Sequence, residues 1–422
     1  MSGLSNGLHK KLLKLTMTTA QKTHGMSGEL VAPDWPALTL AELCPLLAQF
    51  PSLGAPEAIL TESPRPFSAA AQVRTAHGRV FIKRHHKTVR DAEGLSEEHR
   101  FMAHLRRHGA PAPRVFANEA GASAIEIGQW TYEVHEAPDA IDLYQDALSW
   151  TPFMTTAHAY SAGEALARLH LASEGYPAPQ RQPRPLIASF SIFAAHDPYP
   201  ELEKYLAARP ALANHEAVRR CADRALDLLA PFHAELVPLL PALPALWTHN
   251  DLHASNLLWS GSGSDARAAF IIDFGLADRT NAVHDIAQAI ERNIVDWLAL
   301  AQSSFPPKQS PLTPGPPKVV VVHLDHLRAL LAGYESIRPL SNAEAAALAP
   351  MTALCHAEFA LSEADYFLGA LHSEEKARMA YEGYLVCHAE WFSTAAGREL
   401  TAALRQWASH HLAGAAQHAE AK

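Results

Sequence analysis

The segment THNDLHASN (248–256), followed by AFIIDFG (269–275), constrains this 422-residue chain more than any other stretch. Between the two lie apolar Leu257, Leu258 and Trp259, a polar turn SGSGSDAR, and a β-branched apolar run that ends on Asp273. That order predicts two antiparallel strands joined by a turn. In such a hairpin Asn256 opens one strand and Asp273 closes the other, so two oxygen ligands converge. Mg²⁺ takes oxygen ligands in near-octahedral geometry and usually accepts one or two protein side chains plus phosphate oxygens. With Asp251 just upstream, the pattern supplies the base and the two metal-holding side chains that phosphoryl transfer needs.

Other parts of the protein-kinase set are missing. No G-x-G-x-x-G occurs upstream, no A-P-E follows Asp273, and His249 is followed by Asn250 rather than Arg. The pattern H-x-D-L-H-x-x-N with I-I-D-F resembles instead the aminoglycoside phosphotransferase family, kinase-like enzymes that phosphorylate small molecules and include choline and homoserine kinases. The resemblance implies an α+β, bilobal protein-kinase-like fold, with a small β-sheet N-lobe carrying one helix and a large, mainly α-helical C-lobe. It also implies ATP and Mg²⁺ as cofactors, Asp251 as the catalytic base, and Asn256 and Asp273 as the metal-holding residues. His249 reads as a structural anchor of the loop, because the carboxylate two positions on must face the substrate. His253 occupies the place where protein kinases put a phosphate-contacting lysine, and either sits near the γ-phosphate or packs.

A small lobe of this kind needs a lysine on a strand and a carboxylate on the next helix. The stretch QVRTAHGRVFIKR (72–84) reads as a hairpin turning at His77-Gly78, with Val80, Ile82 and Arg84 on one face and Phe81 and Lys83 on the other. Lys83 is the expected phosphate-binding lysine. The run LSEEHRFMAHLRRHG after Gly94 has apolar residues at helical spacing, with Ser96 as the cap and Gly109 as the terminator. Glu98 stands seven residues before Leu105, as in the family's E-x-x-x-x-x-x-L helix, and is the expected partner of Lys83, with Glu97 as the rival. Taken singly these are ordinary exposed charges; the downstream motif gives them their reading. The segment expected to cover the phosphates, SPRPFS (63–68), holds no glycine, so backbone amides or the Ser68 hydroxyl would have to serve there. WTYEVHEAPDA (130–140) resembles the family's connector between lobes, where Glu136 and Pro138 flank the purine slot and His135 limits its depth.

A 48% apolar content in a chain of this length is enough for two cores. The net charge of −9 argues against sequence-independent nucleic-acid binding, which requires a basic face. Cys44, Cys221, Cys355 and Cys387 lie far apart and form no C-x-x-C pair, as in a cytoplasmic protein with reduced thiols. The 25 histidines, including His85-His86 and His410-His411, sit among polar or amphipathic residues and read as surface imidazoles rather than a transition-metal site. The opening MSGLSNGLHKKLLKLTMTT is too interrupted for a signal peptide or a membrane span, and the apolar tract from Leu228 to Trp247 is broken by prolines and charge.

The expected division is a flexible extension over 1–30, a nucleotide-binding N-lobe over 31–136 and a helical catalytic and substrate-binding lobe over 137–422. Within the last, residues 303–318 (SSFPPKQSPLTPGPPK) read as a proline-rich surface loop. The run HDIAQAIERN resembles the family's D-x-A helix, which gives Asp285 a supporting role beneath the catalytic loop. GYESIRPLSNAE looks like a helix pair of the homoserine-kinase type. Asp278 and Glu291 are the carboxylates read as meeting an ammonium group on the acceptor. The function that follows is ATP-dependent phosphorylation of a hydroxyl on an amino-bearing metabolite. An aminoglycoside-type antibiotic or a sugar is the alternative acceptor, and a nucleotide-binding pseudokinase or a protein kinase is the alternative class.

Overall fold

The computed structural model describes residues 23–24, 30–299 and 320–420. Most of the expected N-terminal extension and the proline-rich segment 303–318 lie outside the described residues, although Thr23–His24 pairs with Leu30–Val31. The fold is α+β and bilobal, as the sequence predicts.

The small lobe is built on five strands, β1 (Pro56–Glu62), β2 (Ala69–Thr75), β3 (Gly78–His86), β4 (Ala124–Ile127) and β5 (Trp130–Glu136), in the antiparallel order β1-β2-β3-β5-β4. Alternation along β3 and β5 decides which face is which. Val80 and Ile82 point with Tyr132 and Val134 into a small core that also takes Leu43, Leu46 and Leu47 of helix α1 (Leu40–Leu47). Lys83, Glu133 and His135 occupy the opposite face, toward the interlobe cleft, where all three border one cavity. The β2–β3 turn falls on Ala76-His77, one residue before the expected position, because Thr75 pairs directly with Gly78. Helix α2 (Ala92–Arg107) lies against the sheet and starts earlier than expected. Asp91, not Ser96, accepts the Gly94 amide at its N-terminus, while the Ser96 hydroxyl donates back to the carbonyl of Ala92. Gly109, with φ +80°, lets the chain leave the helix as expected.

The large lobe consists mainly of helices: α3 (Thr156–Ser173), α4 (Pro198–Ala207), α5 (Glu216–Leu236), α6 (Ala282–Ile294), α7 (Leu324–Glu335), α8 (Asn342–Leu354), α9 (His356–Gly369) and four further segments up to Glu420. Two short strand pairings sit among them. Strand β6 (Ala245–Thr248) pairs with β9 (Asp278–Asn281), and β7 (Leu257–Ser260) pairs with β8 (Arg267–Ile271), which is the hairpin expected from the opening motif. Helix α5 and its continuation to Ala242 are long and apolar enough to cross a membrane by length and composition. The helix is nonetheless amphipathic: Val218, Ala222, Ala225 and Leu229 are buried in the lobe core, while Arg220 and Arg224 are exposed.

Helices α3 and α7 approach through glycine. A Cβ on Gly163 would fall 2.1 Å from the Leu330 carbonyl oxygen, and one on Gly333 would fall 1.9 Å from that of Tyr160. Gly333 belongs to the GYESIRPLSNAE stretch, which forms the end of α7 and the start of α8. There Ser341 and Glu344 make a reciprocal capping box. Gly333→Ala is expected to lose about 3 kcal/mol of stability, the upper end of overpacking costs, because backbone must move to admit the methyl group. An unchanged urea midpoint in that variant would show that the helices do not meet in this way.

Candidate active site

The catalytic segment runs from β6 to β7 alongside α6, and its position is set by side chains from both ends of that helix. The Asp285 carboxylate accepts the backbone N–H groups of His249 and Asn250, each at 2.8 Å, and a third bond from His170 at 3.0 Å. Arg292 donates to the Asn250 carbonyl at 2.5 Å and pairs with Asp251 at 2.7 Å. Asn293 accepts from the Ala254 amide and donates to the Leu252 carbonyl, at 2.8 and 2.7 Å. The loop is therefore held by polar contacts on both sides of Asp251. Asn250, with φ +60°, supplies the left-handed turn that aims the carboxylate out of the loop. His249 accepts the Asp251 amide at 3.2 Å and donates to the Ile272 carbonyl at 3.0 Å, tying the loop to the hairpin. Burial lowers the pKa of His249, which keeps the ring in the neutral form those two bonds require. His253 is also buried, and burial together with Arg65 and Arg292 holds it well below the usual imidazole range. Its ring bonds to Ser255 at 2.7 Å.

Asp251, Asn256, Asp273 and Lys83 border the same cleft. The Ile272 amide donates to the Asn256 carbonyl at 2.9 Å, which continues the β7–β8 ladder and brings Asp273 beside Asn256. Asp273 sits at φ +63°, a left-handed conformation that costs energy for a residue with a Cβ and is often found where side-chain direction matters. Asn256 Nδ2 donates to the Asp251 carboxylate at 3.1 Å and to its carbonyl at 2.9 Å, which turns the amide oxygen the other way. Lys83 donates to Asp273 at 2.9 Å across the cleft. Burial acts against the charge on both partners of this pair. Their mutual attraction outweighs it, raising the lysine and holding the Asp273 carboxyl well below the usual carboxylate range. The set fits a divalent cation: an ionised carboxylate with a partly exposed side chain lies beside an amide oxygen whose nitrogen is already engaged.

Two cavities meet at this cluster, sharing Arg65, Ser68, Lys83, Asn256 and Asp273. One, of about 460 Å³, extends under the sheet to the connector, where Glu136, Ala137 and Pro138 border it together with His135. Phe81, Met102, Ile141, Leu258 and Ile272 give it apolar walls suited to a flat base. The Glu136 side chain is turned outward to the Arg114 amide and the Arg106 guanidinium, at 2.8 and 3.0 Å, and its own amide donates to the Arg114 carbonyl at 2.9 Å. The other cavity, of about 190 Å³, lies beyond Asp251 and is lined by Trp150, Trp297, Phe359, Glu363, Tyr384 and His388. Tyr384 belongs to a π-helical segment, Met379–Val386, a geometry that recurs at functional sites.

Residues 65–305 match the model of the phosphotransferase enzyme family known as APH. The chain belongs to this family. It is 31% identical to a homoserine kinase of Caulobacter sp. (strain K31) over 241 residues, 57% of this chain, and it spans 60% of the length of that relative. Among solved structures, a microcompartment-associated aminopropanol kinase matches with a TM-score of 0.54 at 17% identity, covering 85% of this chain and 99% of its own. An amicoumacin kinase in complex with AMP-PNP, Ca²⁺ and its antibiotic matches with a TM-score of 0.51 at 13% identity, covering 82% and 92%. At such identities the structural likeness shows the kinase-like fold alone.

Within this family frame, three expected roles are corrected. Glu98 does not pair with Lys83. Its carboxylate is held by Arg90 at 3.1 Å and by Arg181 at 2.9 Å, and Glu97 also goes to Arg181, at 3.2 Å. Two buried guanidinium groups outcompete one ammonium, and Lys83 takes Asp273 and, at 3.8 Å, Glu133 on the neighbouring strand. Asp278 is fully buried and accepts the amides of Arg181 and Arg279 and the Ser189 hydroxyl, at 2.8, 2.7 and 2.8 Å, so it braces β9 and cannot meet an acceptor. Glu291 lies behind the cavity wall, bonded to His388 at 3.1 Å, and burial pushes its carboxyl up to about 7.

Four residues with a claim on the site went unread in the sequence. Arg292 lies two helical turns after Asp285, on the same face of α6, and that spacing was available as a signal. Arg65 comes from the glycine-free SPRPFS segment, borders both cavities and bonds to Ser149 at 3.0 Å. Glu133 alternates with Thr131 and His135 on what reads as a solvent face. Glu363, 3% exposed, sits in the buried helix α9. Among the described residues it has no hydrogen-bond or ion-pair partner, and burial pushes its carboxyl up to about 8 against the attraction of Arg292.

Proposed function

We propose that this chain transfers the γ-phosphoryl group of ATP to the hydroxyl of a small amine-bearing metabolite of the homoserine or amino-alcohol type. The observation that carries this reading is the gathering of Lys83, Asp251, Asn256 and Asp273 where the two cavities join. The larger cavity takes the nucleotide, with its base against the connector around Glu136 and Pro138. The smaller one takes the acceptor.

Asp251 orients the acceptor hydroxyl and receives its proton as the bond to phosphorus forms in line with the departing β-phosphate oxygen. Arg292 fixes that carboxylate from below. Lys83 cradles the nucleotide phosphates, and Arg65 brings a second positive charge to the segment that lacks glycine. Asn256 and Asp273 hold Mg²⁺, which when bound neutralises charge on the phosphates. Ser68 lies close enough to the junction to donate to a phosphate oxygen, while His253 packs beside Asp251 as a neutral ring.

The acceptor class rests on two supports. The relatives above are a homoserine kinase and an aminopropanol kinase by name, both acting on hydroxylated amines. In addition, Glu363 is a buried carboxylate that an ammonium group would satisfy, set among aromatic faces that favour cations. Glu363→Gln is accordingly expected to raise KM for an amine acceptor about 30-fold with a smaller change in kcat, the pattern of lost ground-state binding. Equal KM in the two proteins would remove the amine from the proposal.

The deciding experiment is Mg²⁺-dependent ADP formation across a panel of homoserine, hydroxylysine, amino alcohols, sugars and aminoglycosides. Turnover confined to the small amines supports the reading. Nucleotide binding without turnover on any acceptor would make the chain a scaffold, and phosphate incorporation only into general protein substrates would make it a protein kinase.

A further inference from the structure

Three histidines from different elements converge on one carboxylate behind the nucleotide cavity. His99 of α2 and His135 of β5 each bring Nε2 to within 2.8 Å of one Glu133 oxygen, and His85 of β3 reaches the other oxygen at 3.0 Å. All four side chains are buried, so the surface reading of His85 given by its polar sequence neighbours does not hold. The ligand atoms of His99, Glu133 and His135 lie within 4.8 Å of one another.

Lys83 already has Asp273 as its close partner, and the transfer step uses none of these imidazoles. Their arrangement has the features of a metal centre. The far nitrogen of His99 is fixed by the Ser123 hydroxyl at 2.8 Å, the kind of outer contact that orients a ligating imidazole. His85 steadies the carboxylate from its other oxygen in the same sense. Two imidazoles and a carboxylate form a donor set that suits zinc and is poorly matched to Mg²⁺. Lys83 stands on the opposite oxygen of Glu133 at 3.8 Å and is already paired with Asp273.

We propose that His99, Glu133 and His135 bind one zinc ion that staples helix α2 to strand β5, separate from the magnesium used in phosphoryl transfer. On binding, each imidazole coordinates through Nε2 and carries its proton on Nδ1, from which His99 donates to the Ser123 oxygen. No change of oxidation state is involved. The site joins the helix bearing Glu98 to the strand beside Lys83, so zinc stiffens the back of the nucleotide cavity.

The test uses the full chain, stripped with a chelator, dialysed against zinc chloride and assayed for bound metal. Stoichiometric zinc is expected in the wild type and in His410→Asn, a surface control, and only background metal in the His99→Asn/His135→Asn double variant. Substituting Co²⁺ should give the visible absorption of a low-coordinate site in the wild type and not in the double variant. Zinc should also raise the melting temperature of the wild type alone, as binding to the native state requires. The melting curve of the metal-free double variant shows that it is folded. Failure of the wild type to bind stoichiometric zinc, or retention of zinc by a folded double variant, would overturn the proposal.

Discussion

Asp251→Asn is expected to lower kcat about 10³-fold while changing nucleotide affinity little, because a positioned base contributes on that scale and the amide keeps the shape of the side chain. The environment of Asp251 makes the prediction sharper. Burial pushes its carboxyl up to about 7, and Arg292, paired with it at 2.7 Å, works in the opposite direction. The ionised form is the one that accepts a proton, so kcat/KM should rise with pH through about 7 and level off above it. Arg292→Gln removes the cation that favours ionisation and should move this limb to higher pH. A pH profile identical to that of the wild type would show that Arg292 does not act through Asp251.

Stability should run the other way. A carboxyl whose pKa is raised in the folded state contributes stability that is fully present below its unfolded value and is lost as pH rises through its folded value. Between about pH 4 and pH 7 the wild type therefore gives up stability at Asp251 that the asparagine variant keeps. Above pH 7 Asp251→Asn should melt at or above the wild-type temperature. An inactive variant that is no less stable cannot owe its inactivity to misfolding, which is what makes this substitution informative.

Asp273→Ala should affect binding as well as rate. It removes the ionised ligand from the metal position and the nearest partner of Lys83, leaving Glu133 at 3.8 Å as the closest acid. A drop of at least 10-fold in Mg-ATP affinity is expected, together with the loss of most turnover, and a destabilisation of about 3 kcal/mol from a buried ammonium that has lost its closest counter-ion. Isothermal titration with a non-hydrolysable nucleotide, with and without Mg²⁺, separates the two contributions. If Mg²⁺ strengthened nucleotide binding equally in variant and wild type, Asp273 would not be a metal ligand.

The extent to which these features could be read in advance follows from how local their causes are. The β7–β8 hairpin, the alternation of β3 and the amphipathic helices rest on periodicity and turn residues, so they were legible. Asp251, Asn256 and Asp273 were found for the same reason, since a loop and a hairpin hold them within one short stretch of chain. Partner choice was not legible. Whether Lys83 meets Glu98 or Glu133 depends on Arg90 and Arg181, and Arg181 arrives from a connecting segment far along the chain that carries no motif. Asp278 and Glu291 failed as acceptor contacts because sequence gives a residue's chemistry but not the depth at which it lies, and both prove to be buried. Glu363 was hidden by the converse: nothing near it in sequence says that its helix forms the wall of a cavity.

The pairing of Glu98 with two arginines has a consequence for control. Arg90 also donates to the carbonyls of Leu186 and Gly275, and Arg181 to those of Gly94 and Ala277. These bonds rivet the small-lobe helix to the segment just past Asp273 and to the body of the large lobe. A helix fastened at that many points is expected to keep one seat relative to the segment just past Asp273, whether or not nucleotide is bound. Structures with and without nucleotide should accordingly superpose this helix on residues 181–186 alike, and a helix displaced in the empty state would show that the rivets can open.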